Sequence, residues 1–281
     1  MKPPEHKTSL AEWIRLAQLR LHDAEVESPR ESALLLAEHA LALTRSRMLA
    51  DPGHPLSPHD LAILEELLER RLRHEPVAYI LGRKGFRDHI FTVSSKVLIP
   101  RPETEELIDL ISSYQLGPKS ILDAGTGTGC LAICLSGMFP TAQVCGCDFS
   151  SEALQCARNN DPDRRVHWVE SDWLACFRPS VFDLIVSNPP YLTRQEILQT
   201  DPQVRNYEPV LALDGGADGC EAFRRLIPQA SKALAPGGIL FLEGSPTVAL
   251  SVLKLLSDWE FHSIEMHCDL SGKERFFTGR K

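Results

Sequence analysis

Ser120-Ile121-Leu122-Asp123-Ala124-Gly125-Thr126-Gly127-Thr128-Gly129 decides how this chain folds. Residues 120–124 form a short apolar run that ends at a glycine cluster, the pattern of a buried strand. The glycines behind it tolerate positive φ and, lacking a Cβ, let backbone pass close to a ligand. Helical periodicity then takes over near residues 130–138. Strand, glycine turn and helix in that order open an α/β unit. By itself a G-x-G-x-G loop also fits a dinucleotide fingerprint or a plain tight turn.

Downstream, the alternation continues. Candidate strands lie at 143–147, 166–169, 182–187, 239–243, 261–267 and 275–279, and helical stretches near 151–159, 221–234 and 247–258. This predicts a mostly parallel sheet with helices on both faces. The last two strands have no helix between them and should form an antiparallel edge hairpin. Upstream, Leu10, Trp13, Ile14, Ala17 and Leu21 share one helical face. Ser28-Pro29-Arg30-Glu31 reads as a capping box, and Ser57-Pro58-His59-Asp60 opens another helix carrying Leu61, Leu64, Leu67 and Leu68. The division expected is a helical bundle at 1–75, a linker or hairpin at 76–100, and the α/β domain at 101–281.

The chain has 281 residues and a formal net charge of -8. Residues up to 80 carry 10 Lys+Arg against 13 Asp+Glu, and the rest 20 against 25. Neither part is basic, so stable direct binding to nucleic acid is not expected. The eight cysteines show no CxxC spacing and read as reduced core thiols, with no metal site expected. The polar run at residues 1–7 lacks an apolar h-region and no long apolar segment follows, so no membrane association and a cytoplasmic location are expected.

Asp148 ends the second strand of the domain, 19 residues after Gly129, where a carboxylate can accept both hydroxyls of a ribose. Ser171-Asp172-Trp173 follows the third strand; Asp172 can bond an amino group and Trp173 can cover a flat ring, although a core tryptophan fits too. The most specific signal is Asn188-Pro189-Pro190-Tyr191, directly after the buried strand at 182–187. Two prolines fix φ and remove two amide donors, leaving a stiff turn with outward carbonyls. The Asn188 side-chain oxygen and the Pro189 carbonyl can together grip an NH2 group, with Tyr191 stacked on its plane. That arrangement suits alkylation of a planar amide or amine nitrogen. Asp183, inside the strand, reads as structural, and no histidine is assigned a role.

The sequence resembles the peptide chain release factor glutamine N5-methyltransferases, the PrmC/HemK family. The resemblance rests on Glu75-Pro76-Val77-Ala78-Tyr79-Ile80-Leu81-Gly82, Leu98-Ile99-Pro100-Arg101-Pro102-Glu103-Thr104-Glu105, the glycine loop, Asp148, Ser171-Asp172-Trp173 and the Asn188 tetrapeptide. Glu208-Pro209, Ala212-Leu213 and Gly215-Gly216-Ala217-Asp218-Gly219 extend it. It implies a seven-stranded, Rossmann-like class I methyltransferase domain behind an N-terminal helical bundle that docks the release factor. It further implies that Gly125, Thr126, Gly127, Thr128, Gly129, Asp148, Trp173 and Asn188 contact S-adenosylmethionine. Asn188, Pro189, Pro190 and Tyr191 would hold the glutamine of a Gly-Gly-Gln motif, with Asn188, Pro189 and Tyr191 catalytic. Arg101 and Glu103 would shape the pocket wall, or else form an ordinary ion-paired linker. The tetrapeptide is shared with DNA and RNA amino-methyltransferases, and a ribosomal-protein glutamine methyltransferase fits it equally. One departure follows Glu243: the family usually continues with a hydrophobic residue, glycine and a downstream glutamine, whereas here the run is Glu243-Gly244-Ser245-Pro246.

Overall fold

The computed structural model describes residues 8–281; the polar run at 1–7 lies outside them. The chain divides into two compact units, with the boundary between Gly82 and Arg83.

The first unit is helical: α1 (Leu10–Asp23), α2 (Pro29–Leu41), α3 (Arg45–Ala50), α4 (Pro58–Leu72) and α5 (Val77–Leu81). Leu10, Trp13, Ala17 and Leu21 of α1 pack with Leu36, Leu64 and Leu68, so the apolar face read from the sequence is the one buried. Ser57 and Asp60 form a reciprocal capping box that starts α4. The box expected at Ser28 does not form. Ser28 sits in the left-handed region at φ 50 with no side-chain cap bond, and Glu31 turns instead to Arg45 at 2.7 and 3.1 Å. A charge-assisted bidentate pair outcompetes a neutral cap.

The second unit opens with an antiparallel hairpin, β1 (Arg83–Phe86) and β2 (His89–Thr92), and helix α6 (Pro102–Ser113). Then follow β3 (Ser120–Ala124), α7 (Cys130–Met138), β4 (Gln143–Asp148), α8 (Ser151–Asn160), β5 (Val166–Glu170) and β6 (Phe182–Ser187). Two short helices come next, α9 (Arg194–Gln199) and α10 (Pro202–Tyr207). The unit closes with α11 (Glu221–Ala233), β7 (Leu234–Glu243), α12 (Ala249–Asp258), β8 (His262–Cys268) and β9 (Glu274–Arg280).

The seven-stranded sheet has the order β5-β4-β3-β6-β7-β9-β8. Pairing is parallel from β5 through β7, and β9 runs antiparallel between β7 and β8. The terminal hairpin is therefore present, but its later strand is inserted and the earlier one forms the edge. Successive apolar residues feed opposite cores, as strand pleating requires. Ile121, Leu184, Val186, Ile239 and Phe241 join Leu107, Ile111, Leu131 and Leu135 on one face. Leu122, Ile185, Leu240 and Leu242 join Phe223, Leu226, Val252 and Leu256 on the other. The near-continuous hydrophobicity of these strands, interrupted by Asp123 in β3 and Asp183 in β6, reflects burial on both sides. Asp183 acts as a clamp at the other end of the sheet, accepting from the Lys119 and Ser120 amides and the Ser120 hydroxyl at 2.8, 3.0 and 3.0 Å.

Glycine is required where Trp168 crosses β4. A Cβ on Gly146 would stand 2.5 Å from that ring, and one on Gly129 2.7 Å. Gly146→Ala should therefore lower stability by about 1–3 kcal/mol through overpacking. Gly137→Ala, with nothing within 4 Å and a place in α7, should raise it by about 0.5 kcal/mol. Urea-unfolding midpoints of the two variants decide this; similar midpoints would show that Trp168 does not constrain the strand.

Candidate active site

Chain direction reverses at the junction of β3 and β6. From β3 the chain builds outward through β4 and β5, then returns to add β6 on the opposite side. Loops leaving the carboxyl ends of strands at such a reversal diverge and leave a crevice. The glycine loop leaves β3 there, and Asn188 leaves β6. Ser187 ties the two, its hydroxyl donating to the Ala124 carbonyl at 2.6 Å.

The loop is held from below. Gly125, Gly127 and Gly129 have φ of 74, 55 and 83, a region L side chains rarely occupy. The Thr126 hydroxyl and the Ala132 amide both donate to Asp123 Oδ2, at 2.5 and 3.1 Å. The Thr128 carbonyl accepts from Asn160 at 3.0 Å. Asp123 is 1 % exposed and its Oδ1 has no partner. Burial pushes its carboxyl up to about 7. Asp148 bridges two loops, accepting from the Gly127 amide through Oδ2 and from the Ser150 amide through Oδ1, each at 2.9 Å. Burial raises its carboxyl above the ordinary range while these amides oppose the shift.

Trp173 has φ 52, and its ring stands 3.4 Å from where a Gly125 Cβ would be. It also packs against the core, so it lies along the loop and the hydrophobic interior together. Asp172 forms an ion pair with Arg225.

Asn188 is half-buried. Its Nδ2 donates to Thr104 Oγ1 at 3.1 Å, and the Thr104 hydroxyl donates to Glu243 Oε2 at 2.8 Å. Among the described residues none bonds to the Asn188 side-chain oxygen. Pro189 is buried, whereas Pro190 and Tyr191 are half-buried. The Tyr191 hydroxyl accepts from Arg275 at 3.4 Å, and Arg275 is anchored by Asp269 at 3.2 Å and the Gly244 carbonyl at 3.0 Å. Burial raises the Tyr191 phenol, so it stays neutral. Gly215 and Gly219 back the corner: a Cβ on either would stand 2.8 Å from the Tyr191 Cα or 2.5 Å from its carbonyl oxygen. Arg101 pairs with buried Glu208 at 2.7 and 2.8 Å, so the two resembling motifs are partners within one unit.

Two family models match, the PrmC N-terminal domain over residues 12–82 and the methyltransferase small domain over 104–204. The release factor glutamine methyltransferase of Caulobacter vibrioides is 38% identical over 273 residues, covering 94% of each chain. That of Deinococcus radiodurans is 38% identical over 278 residues, covering 97% of this chain and 98% of the relative. The chain belongs to the release factor glutamine methyltransferase family.

Members of this family are S-adenosylmethionine-dependent protein methyltransferases, and so is this enzyme. Solved structures agree on the fold. A methyltransferase from Pyrococcus furiosus aligns with TM-score 0.52 at 18% identity, covering 68% of this chain and 88% of that one. The T. Thermophilus 16S rRNA N2 G1207 methyltransferase, in complex with AdoMet and guanosine, aligns with TM-score 0.51 at 20% identity, covering 71% and 49%. The crevice suits such a ligand. Nothing lies within 4 Å of a Cβ position on Gly127, the mostly buried Asp148 carboxylate adjoins it, and Phe149 beside it is 64% exposed.

Asp123, Thr104, Glu243, Arg275 and Glu208 also stand at this candidate site, and the sequence by itself gave none of them a role in it. Asp123 carried a signal, a carboxylate inside a buried apolar strand; the others act across 84 residues or more. All eight cysteines are free thiols, five of them buried. Among the described residues no cluster suits a metal ion, and no helix is long and apolar enough to cross a membrane.

The Asp123 carboxyl has a pH signature. In the unfolded chain it releases its proton near 3.9, and in the fold near 7. Its contribution to stability is complete below pH 4 and is lost as pH rises through 7, at up to about 1.4 kcal/mol per pH unit. Asp123→Asn mimics the protonated form and should remove that slope. Urea unfolding at pH 5 and pH 7 measures it, and parallel slopes in the two proteins would refute the assignment.

Proposed function

We propose that the enzyme methylates the side-chain amide nitrogen (N5) of the glutamine in the Gly-Gly-Gln motif of peptide chain release factors. The observation that carries this reading is the Asn188 carboxamide: its NH2 end is engaged, its oxygen is free, and it stands beside the glycine loop on a rigid proline corner. An amide nitrogen shares its lone pair with the carbonyl and is a poor nucleophile. Accepting both N–H hydrogens, one by the Asn188 oxygen and one by the Pro189 carbonyl, aims that nitrogen and stabilises the positive charge it gains. Tyr191 stacks on the amide plane and restricts its rotation. Arg275 holds the ring by its hydroxyl.

Bound S-adenosylmethionine supplies an electrophilic methyl carbon. A general base is unnecessary, because the methylated nitrogen is acidic enough to lose its proton afterwards. Gly125, Thr126, Gly127, Thr128 and Gly129 would line one wall for that ligand, Asp148 would accept its ribose hydroxyls, and Trp173 and Asn188 would complete the enclosure. Residues 101–281 thus carry methyl transfer, 1–75 dock the release factor, and 76–100 join them. An acceptor that works in translation termination places the reaction in the cytoplasm. The acidic net charge of the chain supports a protein acceptor over a nucleic-acid backbone.

Incubation with methyl-labelled S-adenosylmethionine and, separately, release factor, ribosomal protein or DNA tests this. Label should enter the release factor, at the glutamine of its Gly-Gly-Gln motif. Label confined to DNA or to a ribosomal protein would overturn the substrate assignment. Asn188→Ala should lower kcat by about 100-fold or more while the melting temperature stays within a few degrees. Wild-type turnover in that variant would remove Asn188 from the mechanism.

A further inference from the structure

Building on the methyl-transfer reading above, the structure identifies what decides which end of the Asn188 carboxamide faces the substrate. The oxygen and NH2 ends of a carboxamide are nearly the same size, so hydrogen-bond partners alone choose between them. A threonine hydroxyl has one hydrogen to give. Here that hydrogen goes to Glu243 Oε2 at 2.8 Å. Thr104 therefore turns only lone pairs toward Asn188, and only an NH2 can sit against them, at 3.1 Å. The Asn188 oxygen is forced to the opposite side.

We propose that Thr104 and Glu243 are positioning residues, a buried two-link relay that holds the Asn188 oxygen toward the nitrogen to be methylated. The fold assembles the relay from three elements. Strands β6 and β7 are parallel neighbours with Ser187 paired to Leu242, which brings the next residues, Asn188 and Glu243, to the same level. Helix α6 contributes Thr104 from its first turn. Thr104 is 3% exposed and Glu243 0%, so water does not compete for these bonds.

Glu243 is an expensive residue to bury for packing alone. Its Oε1 has no partner, and burial pushes its carboxyl up to about 7. The charged groups facing it are Arg275 from β9 and Arg101 from the segment before α6, which favour the carboxylate, and Glu103 from α6, which opposes it. The neutral Tyr191 phenol faces it from the corner after β6. When Glu243 takes up a proton it becomes a donor, the Thr104 hydrogen is released to turn toward Asn188, and the carboxamide loses its imposed direction. Productive orientation thus belongs to the ionised form and declines as pH falls through about 7.

The full-length protein with Thr104→Val, Thr104→Ser or Glu243→Gln tests the relay by two independent readouts. The first is side-chain NMR of asparagine-labelled protein without any methyl acceptor, with Asn188→Ala giving the assignment. In wild type the Asn188 NH2 hydrogens should exchange at least ~10-fold more slowly than in Thr104→Val, and Thr104→Ser should retain the protection. The Asn188 signals should also shift as pH passes through about 7, and in Glu243→Gln that shift should vanish. The second readout is kinetic. Thr104→Val should lower kcat on release factor by about 10- to 100-fold, with the calorimetric Kd for S-adenosylmethionine within ~2-fold of wild type; Thr104→Ser should recover most of it. Unchanged NH2 exchange in Thr104→Val, equal damage by Val and Ser, or a pH shift that persists in Glu243→Gln would each overturn the relay. Wild-type protein that leaves release factor unlabelled would instead overturn the functional reading, while the NMR still judges the relay.

Discussion

The reversal of strand order between β3 and β6 is the constraint on which the chemistry depends. Parallel strands point their carboxyl ends the same way, and two neighbours whose chains then run in opposite directions leave an opening between their loops. In this enzyme one loop is glycine-rich, pinned from below by Asp123, Asp148 and Asn160, and the other is a proline corner. The bond from Ser187 to the Ala124 carbonyl joins them at the root of the crevice. Shifting β6 by one residue against β3 would break that bond and move Asn188 to the other face of the sheet.

Electrostatics at this edge differ from the rest of the domain. Asp123, Asp148, Glu208 and Glu243 stand there, and burial raises the carboxyl of each above its ordinary range. Such groups weaken a fold, and their concentration beside a crevice marks a site where polarity is retained for work. Asp183, at the far end of β6, shows the contrast: its three donors tie that strand to the start of β3. The cysteines make the same distinction in reverse. Desolvation holds the thiols of Cys130, Cys134, Cys145 and Cys147 well above their usual range, so these residues behave as small core hydrophobes.

The corner itself is supported from behind by segments far away in the chain. Gly215 and Gly219 let the 215–219 loop lie directly against the Tyr191 backbone, and Arg275 of β9 reaches its hydroxyl. Arg275 depends in turn on Asp269, whose carboxylate is held down to about 2 by the Ser271 hydroxyl, the Lys273 amide and Arg275. The inserted position of β9 is what brings this anchor next to β7 and the site. A terminal hairpin in simple sequential order would have left Arg275 one strand further out.

Much of this was legible in the residues themselves, because it concerns local backbone restraint. Glycines at φ 74, 55 and 83 and two consecutive prolines state their conformations without help from the fold. Strands buried on both faces announce themselves as apolar runs, and Asp148 follows its strand by simple counting. Tertiary structure alone decided the rest: that β9 pairs between β7 and β8, that Glu31 prefers Arg45 to a cap, that Asp172 goes to Arg225 and Arg101 to Glu208, and that Thr104 stands between Asn188 and Glu243. Each of these is a bond between elements far apart in sequence. Its existence depends on strand register and helix placement to within an ångström or so, and no short stretch of residues encodes that distance.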